Sequence, residues 1–564
     1  MLFKDFKYER PDFEEINTKA NALLDTLEVC DNAQEFISLF HQINQIRNDV
    51  STMSVLSSIR HTIDTSDEFY NAENDYWDEY APLYAVIDNR LSKIALSKPY
   101  REELLKEIPS TYFQLAECAV KSFDERIIPL LQQENKLTSQ YSKLKASARI
   151  EFDGEILNLS QISAKGESMD RDVRKRAFDA NVAWYEEHEA EFDRIYDELV
   201  HLRDQIAKEL GYDNFIELGY YRMSRLDYNA DMVSVYRREI LNHVTPTVAK
   251  FIERQKKRLG YSELMYYDFS VKFKTGNPTP KGSYDELIEA CKTMYHEMSP
   301  ETKEFIDILI QQELWDLKNR PNKAGGGYCT SLANYKVPFI FANFNGTSHD
   351  VDVLTHEAGH AFQAYMSRDI TTPECLWPTY ESCEIHSMSM EFFAWPWMKS
   401  FFKEDTEKYY FHHISGAISF LPYGVLVDHF QHEVYKHVDY TPKQRKEVWR
   451  NLEKQYLPWK QYKEDTLFEK GGFWFQQGHI FESPFYYIDY TLAQVCALQF
   501  WLKMQNKDVD AWNDYVRLCK AGGTKSFTQL VELANLKSPF KEGCLVDVIT
   551  TANTFLDRID DTKL

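Results

Sequence analysis

The stretch Val351-Asp-Val-Leu-Thr-His-Glu-Ala-Gly-His-Ala-Phe-Gln-Ala364 decides how the rest of this chain is read. His356 and His360 are four residues apart, one helical turn, so both imidazoles leave one face and can reach a single cation. Glu357 points about 100° further round, where it can address a water on the metal and leave the metal to the histidines. Hydrolysis needs that division of labour. A zinc ion lowers the pKa of its water from about 15.7 toward 7, and an unligated carboxylate then takes the proton. With 16 histidines in 564 residues, chance would supply such a pattern about 0.04 times. Val351, Val353 and Leu354 precede the motif, and Ala358, Gly359, Ala361, Phe362 and Ala364 surround it. This is the texture of a buried helix rather than a solvated one carrying two surface histidines. A glutamate buried there is costly unless it is paired or near a metal.

A catalytic zinc takes three protein ligands and keeps one position open. The third donor is expected in Thr379-Tyr-Glu-Ser-Cys-Glu-Ile-His-Ser-Met-Ser-Met-Glu-Phe-Phe393, acidic where its neighbours are apolar. A helix places Glu381, Glu384 and Glu391 on one side. Cys383 and His386 are weaker alternatives, and spacing alone does not choose among the glutamates. Asp352, one turn before His356, reads either as the acceptor for a ligand histidine's second ring N–H or as an acid favoured by the helix dipole.

Most of the remaining chain reads helical. Phe13–Leu27 and Ala33–Arg47 carry apolar residues at three- and four-residue spacing, long helices are expected over Asp67–Leu96 and Tyr112–Leu144, and helical patterning resumes at Asp170 and runs through Lys208. A hairpin is expected in Ala148–Leu159, turning at Asp153-Gly154, where both positions tolerate positive φ. Gly211 reads as a helix stop and Phe273–Gly282 as a surface loop. After a glycine turn at Gly325–Gly327, the run Val337–Phe344 reads as a strand, with Pro338 placing it at a sheet edge or at its own start. Asn345-Gly346 marks a turn before the motif helix, which begins near Ser348 or His349.

Composition narrows the partners. Net charge is −23, which disfavours nucleic acid. Mean hydropathy is −0.51, and the longest uncharged apolar stretch, Ile414–Val427, is too short to span a bilayer, so no membrane partner is expected. The N-terminal residues lack an apolar signal core, and the nine scattered cysteines contain no CxxC pair. Both suggest a reducing cytoplasm.

The motif, followed 24 residues later by Glu384 in Cys-Glu-Ile-His-Ser-Met-Ser-Met-Glu391, resembles the thimet oligopeptidase and oligoendopeptidase F family, most closely its short bacterial members of the Pz-peptidase type. The likeness runs from Met169-Asp-Arg-Asp-Val-Arg-Lys-Arg-Ala-Phe178 to the C-terminus. It implies that Glu384 is the third ligand of one Zn²⁺ per chain and that Glu391 is the family's further acid. Phe475-Gln-Gln-Gly-His-Ile-Phe-Glu-Ser-Pro-Phe-Tyr-Tyr-Ile-Asp-Tyr490 resembles the family's Gly-His followed by spaced tyrosines. Carried over, His479, Tyr487 and Tyr490 bind the substrate backbone and support the oxyanion. The spacing is one residue shorter than in the thimet branch, with Tyr486 as a stand-in for the missing tyrosine. On motif alone, an aromatic-rich helix of this kind reads as core packing.

The resemblance also implies a mostly α-helical fold with a small β-sheet. A helical N-terminal region (1–190) would cover a zincin-like catalytic region (191–564), leaving a deep channel that admits short unfolded peptides. Substrate would lie as an added strand along an exposed edge, and the reaction would be internal peptide-bond hydrolysis, with collagen-like Pro- and Gly-containing peptides among the substrates. Oligomeric state is not legible. Two other readings stay open: a zinc hydrolase of non-peptide amides, and a non-catalytic zinc-dependent peptide binder. His412-His413, His429 and His432 read as structural residues, and His349 carries no assignment.

Overall fold

The structure, a computed structural model, describes residues 1–324, 326–344 and 346–564. Gly325 and Asn345, one from each expected turn, lie outside the described residues, as does the His349 side chain. Among the described residues the chain is mostly helical, with one two-stranded and one three-stranded sheet. It folds into two compact units, each drawn from three stretches of sequence. The first holds Met1–Val120, Thr279–Glu404 and Cys496–Ser538; the second holds Lys121–Pro278, Asp405–Val495 and Pro539–Leu564.

In the first unit, helices Phe13–Val29, Ala33–Ile63 and Glu68–Ser97 start on side-chain caps from Asp12, Asn32 and Asp67, which accept from N–H groups that have no partner within the helix. They bury Leu24, Leu27, Phe36, Phe40 and Leu91 in a common core. The three-stranded sheet has Val337–Phe344 at its centre, parallel to Trp315–Lys318 and antiparallel to Tyr328–Leu332. Pro338 is the second residue of that strand, so its missing N–H falls at the strand start rather than on a sheet edge. An added strand would therefore pair with an outer neighbour. Tyr328–Leu332 is half-exposed over most of its length.

The second unit is built on helices Ile128–Ala146, Arg171–Glu187, Glu189–Glu209 and Thr406–Lys436. One expected helix is broken once, and the helical stretch from Asp170 is interrupted at a single residue. Tyr112–Leu144 divides into Ser110–Lys121 and Ile128–Ala146, because Pro129 fits only in the first turn of the second helix. Asp170–Lys208 divides at His188, whose ring stacks on Trp184 at 4.4 Å and whose Nδ1 lies 2.8 Å from the Trp184 carbonyl. The hairpin pairs Ile150–Phe152 with Glu155–Leu157 around Asp153 (φ 50°) and Gly154 (φ 85°), and Gly211 ends its helix at φ 87°. Ile414–Val427 lies inside the largely buried helix Thr406–Lys436. Among the described residues no helix is long and apolar enough to cross a membrane. Seven of the nine cysteines are buried as small hydrophobes; Cys329 and Cys383 are partly exposed.

Candidate metal centre

The motif forms part of helix His349–Met366, which packs along helix Tyr380–Phe393. The two approach closely because residue 359 is glycine: a Cβ there would stand 2.7 Å from both the His386 carbonyl oxygen and Ser387 Cα. The Tyr295 hydroxyl donates to the Leu354 carbonyl (2.9 Å) and the Tyr515 hydroxyl to the His386 carbonyl (2.9 Å), so each helix is also pinned from outside.

This packing brings three donors together. His356, His360 and Glu384 present ligand atoms that all lie within 4.8 Å of one another. Glu384 Oε2 is 3.4 Å from His356 Nε2 and 3.5 Å from His360 Nε2. Two imidazoles and a carboxylate are the donor set of a catalytic zinc with one open position, so the residues present fit that ion. Glu381 lies outside the group, accepting from the Thr379 hydroxyl at 3.0 Å. His386 also stands apart: it is fully buried, and burial first, then the neighbouring His360, pushes its pKa down to about 4. Glu357 sits beside the donors without joining them, its Oε1 4.0 Å from where a Cβ on Gly327 would be. Gly327 leads into the outer strand Tyr328–Leu332, so the carboxylate faces that end of the sheet.

The second nitrogen of His356, Nδ1, meets Glu391 Oε1 at 2.7 Å. Glu391 is thus an acid that orients His356; it comes from the opposing helix and reaches the far side of the ring. Burial alone would disfavour the His356 imidazolium, but hydrogen bonds to Glu384 and Glu391 outweigh it and raise its pKa well above the ordinary value. Burial likewise opposes the Glu384 charge, and hydrogen bonds to His356 and His360 hold its pKa well below the usual carboxylate range. The cluster therefore favours a bound cation, proton or metal.

The second unit gathers the other candidates. The His479 ring lies 5.0 Å from Tyr487, 5.6 Å from Tyr486 and 5.8 Å from Tyr490, centroid to centroid. Phe485, just before these tyrosines, adopts φ 69°, uncommon for a bulky residue. Its N–H donates to Gln431 Oε1 (2.9 Å) and its carbonyl accepts from Arg225 (2.8 Å). Arg225 also pairs with the buried Asp489 at 2.5 Å, and the Phe485 ring lies so near Gly219 that a Cβ there would meet it at 2.6 Å. The segment carrying the tyrosines is therefore held from beneath. Arg225 and Gln431 were invisible to sequence reading because no local signal links them to position 485. His429 and His432 take internal partners: His429 Nδ1 is 3.1 Å from the Tyr456 hydroxyl, and His432 lies between Tyr220 and Asp428.

Fold and donor set together point to the metallopeptidase class. Residues 166–547 match peptidase family M3 and residues 3–123 match the peptidase M3 N-terminal domain; the chain belongs to peptidase family M3. The solved structure of PZ peptidase A with an inhibitor is 51% identical and superimposes with a TM-score of 0.91, covering 99% of this chain and 100% of that one. An oligoendopeptidase F homolog of Borreliella burgdorferi is 24% identical over 77% of this chain and 75% of its own length. For an oligoendopeptidase F homolog of Lactococcus lactis the figures are 22%, 60% and 58%, so the matched region spans little more than half of that relative.

Proposed function

We propose that this chain is a zinc-dependent endopeptidase that cuts internal bonds of short, unfolded oligopeptides. The observation that carries the reading is the three-donor cluster, with Glu357 on the same helix but outside it. His356, His360 and Glu384 would hold the ion; when bound, zinc supplies Lewis acidity and a water of lowered pKa. Glu357 accepts the proton of the attacking water and passes it to the leaving amine. Glu391 keeps His356 oriented. A substrate strand pairs along Tyr328–Leu332, which aligns a peptide bond relative to Glu357. His479, Tyr487 and Tyr490, with Tyr486 beside them, take the roles the family resemblance gives them: donors to the substrate backbone and to the developing oxyanion.

Glu357→Gln tests the reading, since it removes the base and keeps the shape. Turnover of a mixed peptide pool should vanish while one zinc per chain is retained. Activity surviving in this variant would overturn the role of Glu357. Absence of any peptide fragments from the zinc-loaded parent would favour the amide-hydrolase or peptide-binder readings. Mass-spectrometric fragment mapping on peptides of graded length, Pro- and Gly-containing ones included, reads out the length limit and the substrate class.

A further inference from the structure

His479 is the imidazole of the tyrosine cluster, and one of its two ring nitrogens is already committed. The side-chain nitrogen of Gln477 lies 2.8 Å from His479 Nδ1. The same amide accepts through Oε1 from the Tyr423 hydroxyl at 2.9 Å. An amide nitrogen carries two hydrogens and no available lone pair, so it only donates. His479 Nδ1 must then accept, which leaves the ring proton on Nε2. Tyr423 is itself fixed: it stands on helix Thr406–Lys436, and its ring meets the edges of Phe473 and Tyr487 at 6.2 and 5.8 Å. Hydroxyl, amide and imidazole thus form a chain with one donor direction throughout.

We propose that Gln477 is a positioning residue that sets His479 as the neutral imidazole protonated on Nε2, making His479 a fixed hydrogen-bond donor to substrate and not a proton acceptor. This rests on the reading above that His479 contacts substrate. The groups around the ring agree. A second proton, on Nδ1, would set N–H against N–H at the Gln477 contact. Burial pushes the His479 pKa down against the charge of Glu482, and Lys145 adds a smaller push in the same direction as burial. The remaining neighbours, Tyr486, Tyr487 and Tyr490, are phenols that are neutral at pH 7.

Three measurements on the zinc-loaded full chain decide the matter. First, His479→Ala should lower kcat roughly 10²-fold, as loss of an oxyanion donor does; an unchanged kcat overturns the donor role. Second, long-range proton–nitrogen correlation on [¹⁵N]histidine protein, with the His479 signal identified by its absence in His479→Ala, should show the Nε2–H tautomer. An Nδ1–H pattern overturns the proposal whatever the activity. Third, in Gln477→Glu the new carboxylate accepts from Nδ1–H, so Nε2 keeps a proton only in the imidazolium. The donor is then present below the His479 pKa, which the carboxylate raises, and is lost above it. This variant should lose kcat by roughly 10²-fold at pH 8, recover on acidification, and change KM by less than about threefold. A parental kcat–pH profile in Gln477→Glu, alongside an impaired His479→Ala, would overturn the role of Gln477 and leave that of His479 standing.

Discussion

At the scale of single residues, the candidate metal centre leans on an acid outside its donor set. Glu391 reaches His356 Nδ1 at 2.7 Å. That bond fixes the ring so that Nε2 faces Glu384 and His360, and it makes the imidazole a stronger donor. Glu391→Ala should therefore weaken zinc binding about 10- to 100-fold, measured by equilibrium competition with a chelator. Unchanged affinity would mean that packing alone orients the ring. His356, His360 and Glu357 were legible because helical spacing dictates which side chains share a face. The choice of Glu384 came from resemblance, since Glu381 lies on the same side and is equally acidic. The acid seen to meet His356 comes from another helix, which spacing within the motif helix could not show.

At the scale of elements, the site is a contact between two helices, and one glycine sets their distance. A Cβ at residue 359 would strike main-chain atoms of His386 and Ser387 at 2.7 Å, and Met390 Cβ at 3.0 Å. Backbone cannot rotate away as a flexible side chain can, so the helices must separate. Gly359→Ala should cost about 1–3 kcal/mol of stability and loosen zinc by moving Glu384 away from the histidines. Thermal denaturation and zinc retention on dialysis check the two effects, and a variant that keeps both would show that the helices can slide. Elements were read well where a local rule governs them, as at Asp153-Gly154. They were misread where a single residue interrupts a long apolar pattern, as at Pro129. The place of Val337–Phe344 at the sheet centre could not be read from Pro338, because that proline satisfies the strand-start rule and the edge rule alike.

At the scale of the whole molecule, each unit is assembled from three distant stretches of chain, and buried charge follows from that interleaving. In the second unit, His412 lies near Arg258, Lys272 and His413. Burial first, then Lys272, His413 and Arg258, push its pKa down to about 3. The unfolded chain takes up a proton at an ordinary pKa near 6.5, so between there and pH 3 it binds more protons than the folded protein. Stability is therefore lost as pH falls below about 6.5. His412→Phe, whose ring would still lie beside Phe273, removes this cost. Its melting temperature should gain on the parent's as pH drops from 7 to 5, and a constant difference across that range would show that His412 does not drive acid sensitivity.

The sequence by itself determined the two-histidine motif, the glutamate beside it and the helical character of the chain. Each follows from periodicity and side-chain chemistry within a few residues, which need no knowledge of what packs against them. Only the tertiary structure decided that Glu391 orients His356, that Gly359 lets two helices meet, that Arg225 and Gln431 hold the segment bearing the tyrosines, and that Gln477 stands between Tyr423 and His479. These are pairings between stretches that are remote in sequence or governed by side-chain direction. They become definite only when the backbone brings the partners within hydrogen-bonding distance.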